Sequence, residues 1–274
     1  MSSQIKCYVI NLDRSKDRLE HITRVFDEQR LSFERVPAVD GAILSDEEFK
    51  QHSDKFILSR KLVKSELGCF LSHRECWRRI VENDSPWVAV FEDDILFSSN
   101  ISVLLQDVSW IPKDTDIVKL DTYQDKKKER KYTIGPTHYI GTKNKLPYRI
   151  GRLLSEHYCT GGYIISKQCA KKLYDSVEYA FAPIDVIYFN ANYGMLLELN
   201  VQQMIPAVVI QQSEYESTID QERRPNLQRQ PGQRARRPLS ARILREINRI
   251  YRRRILPPWL ALTKGYRYMK VPFE

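Results

Sequence analysis

The chain has 274 residues, a formal net charge of +9 and 42% apolar residues, enough for one large domain or a domain with an appendage. No run approaches the roughly 18 apolar residues that cross a bilayer, and the start, MSSQIKCYVIN, lacks the basic segment and long apolar core of a secretory signal. The five cysteines (Cys7, Cys69, Cys76, Cys159 and Cys169) are odd in number and show no CxxC pair. Buried free thiols are therefore expected, rather than a disulfide framework or a zinc site.

The charge is unevenly placed. Residues 221–274 hold 15 Lys/Arg against 3 Glu, a net of +12, which leaves 29 basic and 32 acidic residues, a net of −3, in residues 1–220. A mildly acidic body that does chemistry and a basic tail that meets an anionic surface are the expected division.

In chain order, Lys6 to Leu12 reads as a first strand. Arg18 to Arg30 reads as an amphipathic helix with Leu19, Ile22, Val25 and Phe26 on one face. Phe33 to Val36 is a second short strand, ending at the turn Val39-Asp40-Gly41. The polar stretch Ser45 to Lys64 is expected to be partly helical. A helix opens at Ser65 and runs from Cys69 to Asn83, where Asp84-Ser85-Pro86 stops it. Trp87 to Phe91 is an apolar, partly β-branched run of the kind found in buried strands, and three acids, Glu92-Asp93-Asp94, follow it directly. Further on, Ile117 to Leu120 is a strand ending at Asp121. Asp125 to Lys131 is a solvated loop, and Thr160 to Ser166 leads into a helix from Lys167 to Val177. Alternating strands and helices imply an α/β fold, its mixed or parallel sheet covered on both faces.

Acids at the carboxyl end of a buried strand sit where open α/β sheets bind ligands. Their hard oxygens suit Mg²⁺ or Mn²⁺, and such a cation can hold a diphosphate. An acidic strand-to-loop junction that binds nothing is the plain alternative.

INLDRSKDR, AVDG, ELGCFLSH, VFEDDILF, VKLDTY and TGGYIISKQCAKKL occur in that order between Lys6 and Ser217. This ordered set resembles glycosyltransferase family 25, which includes bacterial lipooligosaccharide galactosyltransferases and the glycosyltransferase domain of collagen galactosyltransferases. The resemblance implies a GT-A type fold with a Rossmann-like nucleotide-binding half, a UDP-sugar donor and a divalent cation, usually Mn²⁺. Carried over by position, Glu92-Asp93-Asp94 is the DxD-like motif. Asp94 is then the direct metal ligand, with Glu92 a further ligand, or Glu92 or Asp93 meeting ribose or metal-bound water. No histidine follows His157, so Gln211, Gln212 or Ser213 is left to complete the set.

For an inverting reaction Asp185 is the first candidate base and Asp121 the second. The alternative for Asp185 is a helix cap after Pro183. A retaining outcome needs no such base. His73 is expected at the donor, with a packed helical histidine as the alternative. The glycines of Thr160-Gly161-Gly162-Tyr163 would let backbone approach a ligand or simply make a tight turn. Asn11 and Asp40 would hydrogen-bond uracil or ribose and Arg14 would meet phosphate, with helix capping the alternative for Asn11 and Asp13.

The chain divides into a transferase domain (1–220), a basic Gln/Pro-rich linker (221–239) and a basic C-terminal segment (240–274). In the last, Ile243, Ile247 and Ile250 recur at helical spacing among six arginines, followed by Leu256-Pro257-Pro258-Trp259. That pattern suits the surface of an anionic membrane, or else a helix packed on the body. The expected enzyme is cytoplasmic and peripheral on the inner face of the cytoplasmic membrane, acting on an oligosaccharide or lipid-linked glycan. No nucleic-acid module is present, and a homodimer is possible. Glucose or N-acetylglucosamine transfer, a metal-dependent phosphoesterase and a non-catalytic scaffold are the rival readings.

Overall fold

The structure is a computed structural model that describes residues 5–53, 55–58, 60–123, 130–140, 147–212, 219, 222 and 263–274. In chain order the elements are β1 (Lys6–Asn11), α1 (Lys16–Glu28), β2 (Glu34–Pro37), a 3₁₀ turn (Gly41–Ile43), α2 (Asp46–Ser53), α3 (Lys64–Glu82) and β3 (Trp87–Glu92). Next come β4 (Ile95–Phe97), α4 (Ile101–Gln106), β5 (Ile117–Lys119), β6 (Asp121–Thr122), β7 (Tyr132–Ile134), β8 (His138–Tyr139) and β9 (Arg149–Arg152). The rest are β10 (Gly162–Ser166), α5 (Lys167–Ser176), α6 (Ile184–Phe189), β11 (Val201–Ile205), β12 (Val209–Gln211) and β13 (Arg267–Met269).

The expected α/β class holds. The central sheet has eight strands in the order β2-β1-β3-β10-β5-β11-β9-β8. β1 runs parallel to β2 and β3, whereas β10 runs antiparallel to both β3 and β5, so the sheet is mixed. Small sheets β4-β12-β6 and β13-β7 flank it.

Strand alternation divides the core in two. Tyr8, Ile10, Val88 and Val90 join Phe70 and Trp77 of α3 and Leu173 of α5. Cys7, Val9, Ala89 and Phe91 join Ile22, Val25 and Phe26 of α1 and Leu104 of α4. Successive side chains point to opposite faces, and both faces are covered, which is why these strands read as unbroken apolar runs.

From β1 the chain crosses through α1 to β2 on one side, then through α3 to β3 on the other. α1 and α3 therefore lie on opposite faces, and the carboxyl ends of β1 and β3 bound a crevice at the point where the strand order reverses. Open α/β sheets place ligands there.

α3 is seated by two glycines. A Cβ on Gly68 would lie 2.5 Å from the Val39 carbonyl oxygen and 2.8 Å from the Gly41 nitrogen, and one on Gly41 would lie 2.3 Å from the Lys64 carbonyl oxygen. Ser72 fastens the same contact, its hydroxyl donating to the Gly68 carbonyl (2.7 Å) and accepting from the Val39 amide (2.9 Å). The AVDG turn and the opening of α3 are thus in backbone contact.

Most of residues 221–262, and with them the expected linker and amphipathic helix, lie outside the described residues. The expected boundary at residue 240 needs one correction: residues 263–274 are built into the body. β13 pairs with β7, the Ala207 amide donates to the Pro272 carbonyl (2.8 Å), Thr122 donates to the Val271 carbonyl (3.0 Å), and the Glu274 carboxylate accepts from the Tyr148 hydroxyl and from Asn100. Tyr-Arg-Tyr-Met carries strand pairing there, whereas basic charge alone marked it as tail. Among the described residues no helix is long and apolar enough to cross a membrane.

Gly68→Ala is expected to lower unfolding stability by about 1–3 kcal/mol, the usual cost of overpacking, because the atoms it would meet belong to the Val39 and Gly41 backbone and cannot swing aside. Urea denaturation of the purified variant checks this, and an unchanged midpoint would refute the seating of α3 on the turn.

Candidate active site

β3 ends at Glu92, and Asp93-Asp94 turn the chain into β4. In the pairing of β1 with β3, Ile10 stands opposite Glu92, so Asn11 reaches the turn. Its amide donates to Asp93 (2.7 Å) and to the Ser15 carbonyl (3.1 Å), and its oxygen accepts from Arg35 (2.9 Å). Arg18, from the first turns of α1, donates to Asp93 at 3.2 Å and lies 3.7 Å from Asp94.

Glu92 turns the other way. One oxygen accepts from the Thr160 hydroxyl (2.6 Å) and the other from the Gln211 amide (2.7 Å). The same Gln211 nitrogen lies 3.3 Å from Asp94, and the Gln212 amide donates to the Asp94 carbonyl (2.7 Å). β12 thus delivers Gln211 between the two carboxylates. Ser213 lies outside the described residues.

Burial and the charges of Glu92 and Asp93 push Asp94 up to about 7, and burial also raises Asp93. Burial alone would raise Glu92 too, but His73, the Thr160 hydroxyl and the Lys119 charge outweigh it and hold Glu92 below its ordinary value. Negative charge is therefore incompletely offset at Asp94.

A family model described as glycosyltransferase family 25 (LPS biosynthesis protein) matches residues 4–188. The chain belongs to glycosyltransferase family 25. It is 30% identical over 219 residues to the lipooligosaccharide biosynthesis protein lic2B of Haemophilus influenzae, covering 76% of each chain. It is 27% identical over 178 residues to procollagen galactosyltransferase 2 of Mus musculus, covering 61% of this chain and 27% of that protein. Among solved structures it is similar to a glycosyltransferase involved in glycosylation of the major capsid of PBCV-1, with 9% identity and a TM-score of 0.40 over 78% of this chain and 94% of that one.

In this glycosyltransferase His73 lies on α3, wholly buried, with Nδ1 at 2.8 Å from the Tyr163 hydroxyl. Its Nε2 faces Glu92 at 3.7 Å, an electrostatic contact too long for a hydrogen bond, and has no hydrogen-bond partner among the described residues. Asn11, His73, Glu92, Asp93 and Asp94 are therefore brought to one place. Arg14 and Asp40 stand at the same sheet edge, after β1 and β2, as a bidentate pair (2.6 and 3.1 Å). Asp40 also accepts from the Ala42 amide (3.0 Å) to cap the 3₁₀ turn, and hydrogen bonding to Arg14 holds it below its ordinary value.

The two candidate bases separate. Asp185 lies half-buried in the first turn of α6, capped not by itself but by Pro183, and accepts from the adjacent Val186 amide (2.8 Å). Burial raises the Cys69 and Cys159 thiols, and the charges of Glu92 and Asp185 add to it.

Asp121 is a correction to the sequence expectation, because its carboxylate offers no exposed oxygen to an acceptor. It is buried in an ion pair with Lys119 (2.5 Å) and accepts from the Gly161 amide (3.0 Å). Burial raises it to about 6 despite the lysine. Lys119 also donates to the Cys159 carbonyl (2.6 Å), at a residue whose φ of 72° is left-handed and costs about 1–3 kcal/mol to hold. This pair braces the chain on both sides of Thr160, which in turn holds Glu92. Gly161 and Gly162 serve that packing: a Cβ at the first would meet Gln211 at 2.9 Å, and at the second Val209 at 2.9 Å.

Sequence reading missed Arg18 and Lys119. Arg18 carries no signal beyond its place near the start of α1. Lys119 and Asp121 carry one, since residues two apart on an extended strand share a face.

Asp121→Asn should destabilise the protein by about 3–5 kcal/mol, because it leaves Lys119 buried and unpaired, and adding Lys119→Met should recover much of the loss. Chemical denaturation of the single and double variants checks this. Equal stabilities for the two would mean that the pair is not coupled.

Proposed function

We propose that this chain is a metal-dependent galactosyltransferase that moves galactose from UDP-galactose to a lipooligosaccharide or lipopolysaccharide acceptor. One observation carries the metal part of this reading: Glu92 and Asp94 converge on a single amide at the carboxyl end of β3. The likeness to procollagen galactosyltransferase 2 and to lic2B supports the sugar and the acceptor class.

The donor set fits a hard divalent cation, Mn²⁺ or Mg²⁺. It offers carboxylate oxygens with incompletely offset charge, beside a neutral glutamine and at a crevice of the sheet. Asp94 and Glu92 would hold the ion, which would offset charge gathering on the departing diphosphate. Asn11 and Arg18 hold Asp93 and offset its charge, which lessens its repulsion of the other two acids. Arg14 and Asp40, at the same edge, would meet the nucleotide, and Asp185 would take the proton from an acceptor hydroxyl if the reaction inverts. A two-metal phosphoesterase needs several more carboxylates or histidines close together. Among the described residues the only group of three metal-ligating side chains found together is Cys69, His73 and Glu92.

UDP release from a panel of UDP-sugars, with and without Mn²⁺, tests the assignment. Release should be greatest with UDP-galactose, depend on the cation, and fall about 100-fold or more in Asp94→Asn. Calorimetry on the same samples should show donor binding that chelation abolishes; binding of no UDP-sugar would sink the reading. Asp185→Asn should lower turnover with acceptor by about 10²–10⁴ while donor affinity persists, and a variant of full rate would remove Asp185 as the base.

The tail supports a second part of the reading, contact with the anionic inner face of the cytoplasmic membrane. Six arginines lie between Arg242 and Arg254, followed by Trp259. Replacing Arg252, Arg253 and Arg254 with glutamine should weaken binding to phosphatidylserine vesicles by about 1 kcal/mol per residue. Sedimentation with anionic and neutral vesicles reads this, and equal binding to both would refute it.

A further inference from the structure

We propose that Cys69 Sγ, His73 Nε2 and Glu92 Oε1 form a second divalent-metal site, selective for zinc over manganese or magnesium, on the α3 side of the acidic cluster. It goes beyond the transferase reading and does not depend on it.

The three ligand atoms all lie within 4.8 Å of one another. Cys69 and His73 are four residues apart on α3 and so share a face, while Glu92 comes from the end of β3. Zinc bonds of about 2.0–2.3 Å place tetrahedral ligand atoms about 3.3–3.7 Å apart. The 3.7 Å between His73 Nε2 and Glu92 Oε1 exceeds the separation of a nitrogen and an oxygen ligand by only a few tenths of an ångström.

His73 supplies the independent sign of a ligand. It is 1% exposed, and its Nε2 is a buried polar atom with no hydrogen-bond partner among the described residues, a cost that folding rarely leaves standing without use. Its other nitrogen is held by the Tyr163 hydroxyl at 2.8 Å, and the ring stacks on Tyr163 (5.7 Å between centroids, 26° between planes). A metal-ligating histidine is usually oriented by such a partner on its second nitrogen. The Thr160 hydroxyl does the same for Glu92.

Ligand chemistry gives the selectivity. Thiolate and imidazole favour zinc, whereas Mn²⁺ and Mg²⁺ favour oxygen. On binding, the sulfur–metal bond forms as the Cys69 proton leaves to solvent. Three protein ligands leave a fourth position open, as in exchangeable rather than structural zinc sites. The ligands stand at positions 69, 73 and 92, with no CxxC pair, so cysteine spacing gives no sign of them. Glu92 belongs to both metal sets, so an occupied zinc site draws it away from Asp94.

Metal-free full-length protein titrated with Co²⁺, a spectroscopic substitute for zinc, should develop a near-ultraviolet thiolate-to-cobalt charge-transfer band and intense visible bands of four-coordinate cobalt. One equivalent of Zn²⁺ should bleach them, and a large excess of Mg²⁺ should not. Cys69→Ser should lose the thiolate band and weaken Zn²⁺ binding more than about tenfold, read by competition with a chromophoric chelator. Asp94→Asn should keep the band, so the outcome is separable from that of the transferase reading. In the unmutated chain Zn²⁺ should protect Cys69 from iodoacetamide, read by peptide mass spectrometry, which covers a variant that does not fold. Absence of the band, its survival in Cys69→Ser, or labelling of Cys69 indifferent to Zn²⁺ would overturn the proposal.

Discussion

Three consecutive carboxylates at the end of one buried strand repel each other, and much of the surrounding structure consists of the groups that keep them apart. Two unit charges 4 Å apart interact by about 4 kcal/mol at an effective permittivity of about 20, a large share of the stability of an ordinary domain. Asp93 is drawn toward β1 and α1 by Asn11 and Arg18. Glu92 is held toward β10 by the Thr160 hydroxyl and faces His73 of α3 at 3.7 Å. Among the described residues Asp94 keeps only Arg18 at 3.7 Å and a long contact to Gln211. Asp94 is therefore the carboxylate of the three with the weakest compensation.

That separation depends on charges buried further back. Lys119 and Asp121 are shut away from solvent, and their ion pair contributes little net stability, because desolvation offsets most of the attraction. Its effect is geometric. Lys119 holds the carbonyl of Cys159 in a left-handed conformation, Asp121 holds the amide of Gly161, and the residue between them presents its hydroxyl to Glu92. A buried pair that fixes a loop in a strained form is better understood as specifying a conformation than as adding stability.

The sheet and its acidic edge were legible in the sequence because they rest on local patterns. Apolar runs at Lys6–Asn11 and Trp87–Glu92 mark strands covered on both faces, and an acid triplet directly after such a run sits at the carboxyl edge whatever its neighbours are. The partners of those acids were less legible, since each comes from a distant stretch: Arg18 from α1, Thr160 from before β10, Gln211 from β12. Asp121 was read as a possible base because it ends a strand, but burial and the bonds to Lys119 and the Gly161 amide convert a strand-end acid into a positioning residue. The last twelve residues were read as tail for a similar reason. Strand pairing over long sequence separation, here Arg267 with Ile134, has no local signature, whereas basic composition does.

One helix ties stability to chemistry. Gly68 and Ser72 fix α3 against the turn at Gly41, and Cys69 and His73, on the neighbouring flank of the same helix, are inserted toward Glu92. The depth of that insertion is set by how closely two backbones approach, not by His73 itself. A methyl group at position 68 would lift the helix by some tenths of an ångström, and the 3.7 Å contact between His73 and Glu92 would lengthen with it. Packed interiors transmit such small displacements because they have few voids to absorb them. The glycine in ELGCFLSH therefore belongs to the site as much as the histidine does, although it touches none of the acids.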